Sequence, residues 1–374
     1  MNYRVVLIVL SVFLAVTAGW MFTTTVKAPA IIISPPDIGP ITSVINTMSL
    51  KEKISQLLVL HVSGKNGVTL STYVKTYKPA GLILMGDNIP NSISELRTLT
   101  EDIQKNTSND FPYLIASDQE GCTVKRLKQD DYLCATALGK SPVASTTEAF
   151  AQRSNLLQQG GINVNFGIVA DITSDQDSFI YPRVFSGNPT IAGDRIKAAV
   201  EGSKGKTLST IKHFPGHGET AENSHFSIPQ TDISKEAWLK GSAIPFKEGA
   251  DADLVMFSHL IYTSVDDKPA TLSKEWHRIL TEEFGYKGLS ITDDMIMLQE
   301  SDDPTYADPI KNAIDALDAG NDLLLFVNNH GSKNSQIDIE ALVTGIEDAV
   351  KDGRLKESDI DAKLERVLRV RKEL

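Results

Sequence analysis

Eight short apolar runs recur along the chain, and from the second onward each is followed closely by a group that can ionise or hydrogen-bond. The runs are Gln56–Val62, Gly81–Met85, Tyr113–Ala116 and Ile162–Ala170, then Leu208–Ile211, Leu254–Phe257, Leu289–Ile291 and Leu323–Val327. Being continuous rather than alternating, they predict strands buried on both faces, as in a parallel sheet. Helical patterns lie between them, at Ser43–Gln56, Ser92–Asn106, Glu148–Gln159 and Asp308–Ala319. Eight strand–helix units in roughly 330 residues point to one α/β domain, a (β/α)8 TIM-type barrel. A doubly wound open sheet has the same strand count and stands as the alternative. The polar followers are Asp87 and Asn88, Asp118, Asp171, His213, His259, Asp293 and Asn328. In a barrel the carboxyl ends of the strands open onto one face, so these groups would ring a single mouth, as a polyol or sugar site requires. Any one of them alone reads equally well as a cap or a solvated loop residue. Their recurrence after successive strands carries the functional reading.

The N-terminus differs in kind. Met1–Arg4 is positively charged, and Val5 to Val26 follows without a single charge. This is a positive n-region and an apolar segment approaching the length of a membrane span. Small residues around Ala15–Gly19 permit cleavage as a signal peptide, and the length of the run favours a signal anchor. Either outcome places the remainder outside the cytoplasm, secreted or held to the membrane by residues 1–26. Residues 27–41 are proline-rich and read as a stiff linker, so the folded domain is expected over 42–374. Cys122 and Cys134 are the two cysteines. In an oxidising compartment a bridge between them is favoured over two free thiols, closing a loop worth ~3 kcal/mol in the chain-entropy model. With 41% hydrophobic residues the chain can bury a full core, and its net charge of −11, without any Lys/Arg run, argues against nucleic acid as a partner.

Lys212–His225, KHFPGHGETAENSH, holds three of the seven histidines directly after the fifth run. His213 and His217 are four apart, but Pro215 and Gly216 between them prevent a helix from presenting both rings to one metal. The glycines and proline mark a shaped loop able to reach over the mouth. KHFPGHG followed by SH resembles glycoside hydrolase family 3, in particular its bacterial β-N-acetylglucosaminidases. The resemblance extends over MSLKEKISQLLVL (Met48–Leu60), ASDQEG (Ala116–Gly121), NVNFGIVADI (Asn163–Ile172) and PRVFSGNP (Pro182–Pro189). It continues through KPATLS (Lys268–Ser273) and GLSITDDM (Gly288–Met295).

The resemblance implies retaining hydrolysis of terminal β-linked N-acetylglucosamine from cell-wall or chitin-like oligosaccharides, as in peptidoglycan turnover. Asp293 would be the nucleophile and His225 the acid/base. Asp118, Arg126, Arg183, Lys212 and His213 would bind the sugar, and Asp294 would be structural. No cofactor and no metal is implied; the partner is the oligosaccharide, and a monomer is expected. The physical chemistry agrees: a strand-end carboxylate is rigidly placed for attack, nearby Lys and Arg would keep it ionised, and a histidine suits acid/base work near neutral pH.

Two positions depart from the family pattern. Cys122-Thr123 stands where Gly-Arg is usual, with Arg126 retained, and the usual Asp-Ser-His triplet is Asn223-Ser224-His225. Asn223 can orient the imidazole but cannot stabilise its cation; Glu219 and Glu222 flank the position as candidate substitutes, though neither is in register. The departure keeps open a weakly active or inactive sugar-binding protein. A β-glucosidase is the further alternative, disfavoured by the histidine loop. If Asn223 limits proton transfer, Asn223→Asp will raise kcat on a β-linked N-acetylglucosamine disaccharide by ~10-fold or more. It will help an activated aryl glycoside less. Unchanged or lowered rates on both substrates would show that another group already fills the role.

Overall fold

The computed structural model describes residues 39–105, 111–220, 227–301, 303–327 and 337–374. The N-terminal apolar segment, the linker up to 38, and Glu222, Asn223, His225 and Asn328 lie outside the described residues. Among the described residues no helix is long and apolar enough to cross a membrane. Gly39–Leu374 forms one compact unit.

A strand forms on each apolar run: β1 Leu58–Leu60, β2 Gly81–Ile83, β3 Leu114–Ser117, β4 Val164–Val169, β5 Leu208–Phe214, β6 Leu254–Phe257, β7 Leu289–Thr292 and β8 Leu324–Phe326. Their side chains are almost wholly buried, as continuous apolar runs demand. All neighbouring pairs are parallel, and β1 pairs with both β2 and β8. β7 meets β8 through a parallel bridge between Ile291 and Leu323, with Thr292 N donating to Leu323 O at 3.1 Å. Spatial order therefore follows chain order around a closed circuit, which a doubly wound sheet, with its reversal of strand order, cannot do. The fold is a parallel eight-stranded α/β barrel.

Two expectations need correction. The segment Ser43–Gln56 is two helices, Gly39–Thr47 and Leu50–Ser55. Ser49 breaks it: its hydroxyl accepts from Glu52 N while Glu52 Oε2 accepts from Ser49 N, a capping box that starts a new helix. The fifth strand runs three residues beyond the apolar signal, through Lys212, His213 and Phe214. Two polar residues interrupt the hydrophobic pattern there, yet both are buried because the barrel mouth satisfies them.

Candidate active site

The carboxyl ends of β3, β4, β5 and β7 converge on a cavity of about 190 Å³. Two larger clefts of about 610 and 750 Å³ lie at the opposite end, against the segments that lead into the strands. Chemistry rather than volume distinguishes the smaller one, because it gathers Asp118, Glu120, Arg126, Arg183, Lys212, His213 and Asp293.

A buried charge network forms its floor and one wall. Lys212 Nζ donates to Asp118 Oδ1 at 2.9 Å and lies 2.8 Å from Glu120 Oε1. Arg183 grips Glu120 with two hydrogen bonds, Nε at 2.8 Å and Nη2 at 2.7 Å, and Arg126 Nη2 reaches Asp118 Oδ2 at 3.2 Å. Burial alone would raise the Glu120 pKa, but the Lys212 and Arg183 charges override it and bring it down to about 2. Burial likewise works against the Lys212 ammonium, and the Asp118 and Glu120 carboxylates more than compensate, so its pKa rises. Both groups are thus charged at neutral pH.

His213 is held by Asp171, at the end of β4. Its Nδ1 lies 2.7 Å from Asp171 Oδ2, while Asp171 Oδ1 accepts from the His213 and His217 backbone amides at 3.3 and 2.6 Å. Burial raises the pKa of Asp171, but His213 outweighs it and the net shift is downward. A carboxylate facing Nδ1 fixes that nitrogen as the donor and turns Nε2 toward the cavity, 3.4 Å from Arg183 Nη2. His217 stands against Phe179 and lines the cavity, and burial, then His213, pushes its pKa down to about 4. The loop carrying it presses so close to the segment after β4 that a Cβ on Gly218 would lie 1.8 Å from the Ile172 carbonyl oxygen. Only glycine fits there. The Lys212–His213 and Phe214–Pro215 peptides are both cis.

Asp293 is the residue immediately after β7. Its backbone N–H donates to Phe257 O on β6 at 2.8 Å, and its Oδ1 accepts from Asp294 N at 2.8 Å. Burial raises its pKa, but His213, His259, the Asp294 amide and then Lys212 lower it overall. The two imidazoles outrank the lysine that the sequence suggested. Asp294 behaves oppositely: burial drives its pKa well above the usual carboxylate range. Its Oδ1 accepts from Ile296 N at 3.1 Å and Val327 N at 2.9 Å, tying β7 to the end of β8, and its carbonyl accepts from His259 Nε2 at 2.9 Å. Adjacent acids whose environments drive their pKa values apart are a mark of divided roles.

Six of the residues singled out in the sequence, Asp118, Arg126, Arg183, Lys212, His213 and Asp293, thus share one cavity. Asn223 and His225 lie outside the described residues. Glu219, considered as a stand-in for Asn223, accepts instead from the Ser242 hydroxyl at the base of the loop. Glu120 was passed over in the sequence, although the buried Lys212 and the half-buried Arg183 call for a second carboxylate beside Asp118. Cys122 and Cys134 are joined, with Cα atoms 5.6 Å apart, bracketing the segment that carries Arg126. Among the described residues no group of three His, Cys, Asp or Glu is arranged to hold a metal ion.

Comparison with known proteins identifies the family of the domain. The glycosyl hydrolase family 3 N-terminal domain matches residues 49–370. The chain is 27% identical to beta-hexosaminidase A of Pseudoalteromonas piscicida over 82% of its own length, but spans only 55% of that protein. It is 32% identical to a beta-hexosaminidase of Psychromonas ingrahamii, covering 69% of this chain and 78% of that one. Among solved structures, a glycoside hydrolase family 3 β-N-acetylglucosaminidase from a Paenibacillus species superposes with a TM-score of 0.79 at 27% identity, over 87% of this chain and 63% of that chain.

The Glu120 shift has a consequence for stability. A carboxylate with a folded pKa near 2 and an ordinary value of 4.5 stabilises the fold fully above 4.5 and loses that contribution as pH falls toward 2. Urea unfolding of Glu120→Gln should therefore show a weaker fall in stability between pH 4.5 and 2 than the parent. An identical slope in both proteins would show that Glu120 is not held ionised by Lys212 and Arg183.

Proposed function

The chain belongs to glycosyl hydrolase family 3, and from that premise we propose that it is a retaining β-N-acetylhexosaminidase with Asp293 as nucleophile. The observation carrying this reading is an ionised carboxylate at the end of β7, held by a backbone bond to β6 and by the Asp294 amide, and opening onto a small polar cavity. A retaining glycosidase needs one group to attack the anomeric carbon and another to protonate the leaving oxygen and later activate water. Asp293 meets the first requirement: it stays charged, and its placement leaves little freedom to lose on reaching an attack geometry.

The other carboxylates in the cavity are poorly suited to the second role. Asp118 and Glu120 are engaged by Lys212, Arg126 and Arg183, so a proton on either would disrupt the network. Asp294 faces backbone amides beneath the floor. His213 is committed to Asp171 on one side. The family resemblance supports assigning the acid/base to His225, oriented by Asn223, both outside the described residues. Asp118, Arg126, Arg183, Lys212 and His213 offer a fixed set of donors and acceptors for the hydroxyls of one sugar ring. Relatives bearing the name beta-hexosaminidase support a terminal N-acetylhexosamine as that sugar, drawn from cell-wall or chitin-like oligosaccharides. Action outside the cytoplasm, secreted or anchored through residues 1–26, as a monomer, completes the proposal. A sugar-binding protein without turnover is the second reading, and Asn223 is what favours it.

Proton NMR of the first-formed product from a β-N-acetylglucosaminide separates these readings. Retention gives the β anomer before mutarotation, and Asp293→Ala should lower kcat by ~10³-fold or more, the order seen when a member of a nucleophile unit is lost. An α product would overturn the nucleophile, and no turnover by the parent chain would favour the binding protein.

A further inference from the structure

At the opposite end of the barrel, beneath β7 and β8, a cleft of about 750 Å³ opens between the segment 274–290 and the start of the last helix, Glu357–Lys372. A smaller hollow continues from it and shares Lys356, Asp359 and Arg366. In a chain with a net charge of −11, the balance of charge here is reversed. Three of its cations already have partners: Lys274 pairs with Asp318, Arg278 with Glu275 and Glu283, and Arg366 with Asp322. Lys287, Arg354, Lys356 and Lys363 have none; among the described residues no carboxylate lies within 4 Å of their charged ends. Against these four, Asp359 is the one lining carboxylate without a cation in that range.

Two buried groups face this cleft without satisfaction. Lys363 is only 6% exposed, and burial lowers its pKa despite the more distant carboxylates of Asp322, Asp359 and Asp318. His277, also 6% exposed, lines the cleft with its ring stacked on Phe257, and its Nε2 has no hydrogen-bond partner among the described residues. The helix Glu357–Lys372 starts at Lys356, which supplies no side-chain cap; the Asp359 and Ile360 amides turn back to the Lys356 carbonyl, and the positive end of the dipole lies at the same place, beside the first-turn acids Glu357 and Asp359. A helix N-terminus beside lysines is a ready site for phosphate.

We propose that this cleft binds a phosphate monoester, with the phosphoryl group at the N-terminus of the last helix between Lys356 and Lys363. Arg354 and Lys287 would stand at the rim, and the rest of the ligand would lie toward His277. A monoester dianion matches the surplus of unpartnered cations better than a carboxylate or a diester does. The volume exceeds what a bare phosphate fills, which leaves room for the rest of the ligand beside it. Asp359 opposes the anion, and its removal should strengthen binding. The site is independent of the hydrolytic cavity at the other end of the barrel.

Calorimetric titration of the full chain at constant ionic strength tests this, with inorganic phosphate, glucose 6-phosphate and dimethyl phosphate as probes. Saturable binding of the first two is expected, with dimethyl phosphate at least ten-fold weaker. Either order of affinity between inorganic phosphate and the sugar phosphate supports the site, and the difference measures what the sugar adds. Lys363→Met should weaken binding at least ten-fold and the exposed Lys356→Gln at least three-fold, while Asp359→Asn should tighten it at least three-fold. No saturable binding by the parent chain would overturn the proposal. So would affinities unchanged in both Lys356→Gln and Asp359→Asn, two surface variants that leave the core intact.

Discussion

The cavity depends on one buried ammonium. Lys212 projects from β5 into the barrel mouth, where it is 3% exposed and held by Asp118 and Glu120. A buried ion pair is weak evidence for stability in itself, because desolvation offsets the attraction. Removing one partner is another matter: it strands an uncompensated charge, at a cost of roughly 3–5 kcal/mol. Glu120 in turn binds Arg183, and Arg183 reaches His213, so three segments after three different strands are positioned through one network. The ends of β3 and β5 and the loop after β4 cannot drift independently. Disulfide closure of Cys122 to Cys134 fastens the same loop from outside.

Within this frame the pair Asp293 and Asp294 shows how a barrel divides labour between adjacent identical side chains. Asp293 faces imidazoles and a lysine and is held ionised. Asp294 turns below the floor and accepts amides from two segments, where burial favours its neutral form. His259 completes the arrangement by donating to the carbonyl of Asp294, and its other ring nitrogen lies 2.9 Å from the Thr271 hydroxyl. The backbone of Asp293 and Asp294 is therefore anchored from β6 and from the segment that follows it. Preorganisation of this kind is what lets a carboxylate attack without reordering its surroundings.

Much of this was legible in the sequence, and the exceptions have physical causes. Continuous apolar runs located all eight strands, because a barrel interior leaves no solvent-facing side of the strand to alternate with. They underestimated β5, where Lys212 and His213 sit in strand backbone that only the converging carboxylates make tolerable. The two helices at the N-terminal end were read as one, although Ser49 and Glu52 carried the capping-box spacing that separates them. Strand-end position identified Asp118, His213 and Asp293 because the topology sends those ends to one place. Arg126 and Arg183 lie on loops, where spacing says nothing about approach, and they were placed by family resemblance. Glu120 was missed for the same reason: its importance is a matter of charge balance in three dimensions. The separation of Asp293 from Asp294 in ionisation likewise follows from the imidazoles and lysine that face only the first of them, which two consecutive identical letters do not reveal.

The central claim is that Asp293 forms a bond to the sugar. Intact-protein mass spectrometry after incubation with a slow fluorinated N-acetylglucosaminide, one that accumulates the covalent species, tests it most directly. The account predicts an added mass of one glycosyl residue, located by peptide mapping on Asp293. Turnover of the reagent with no adduct, or an adduct on any other residue, would contradict it.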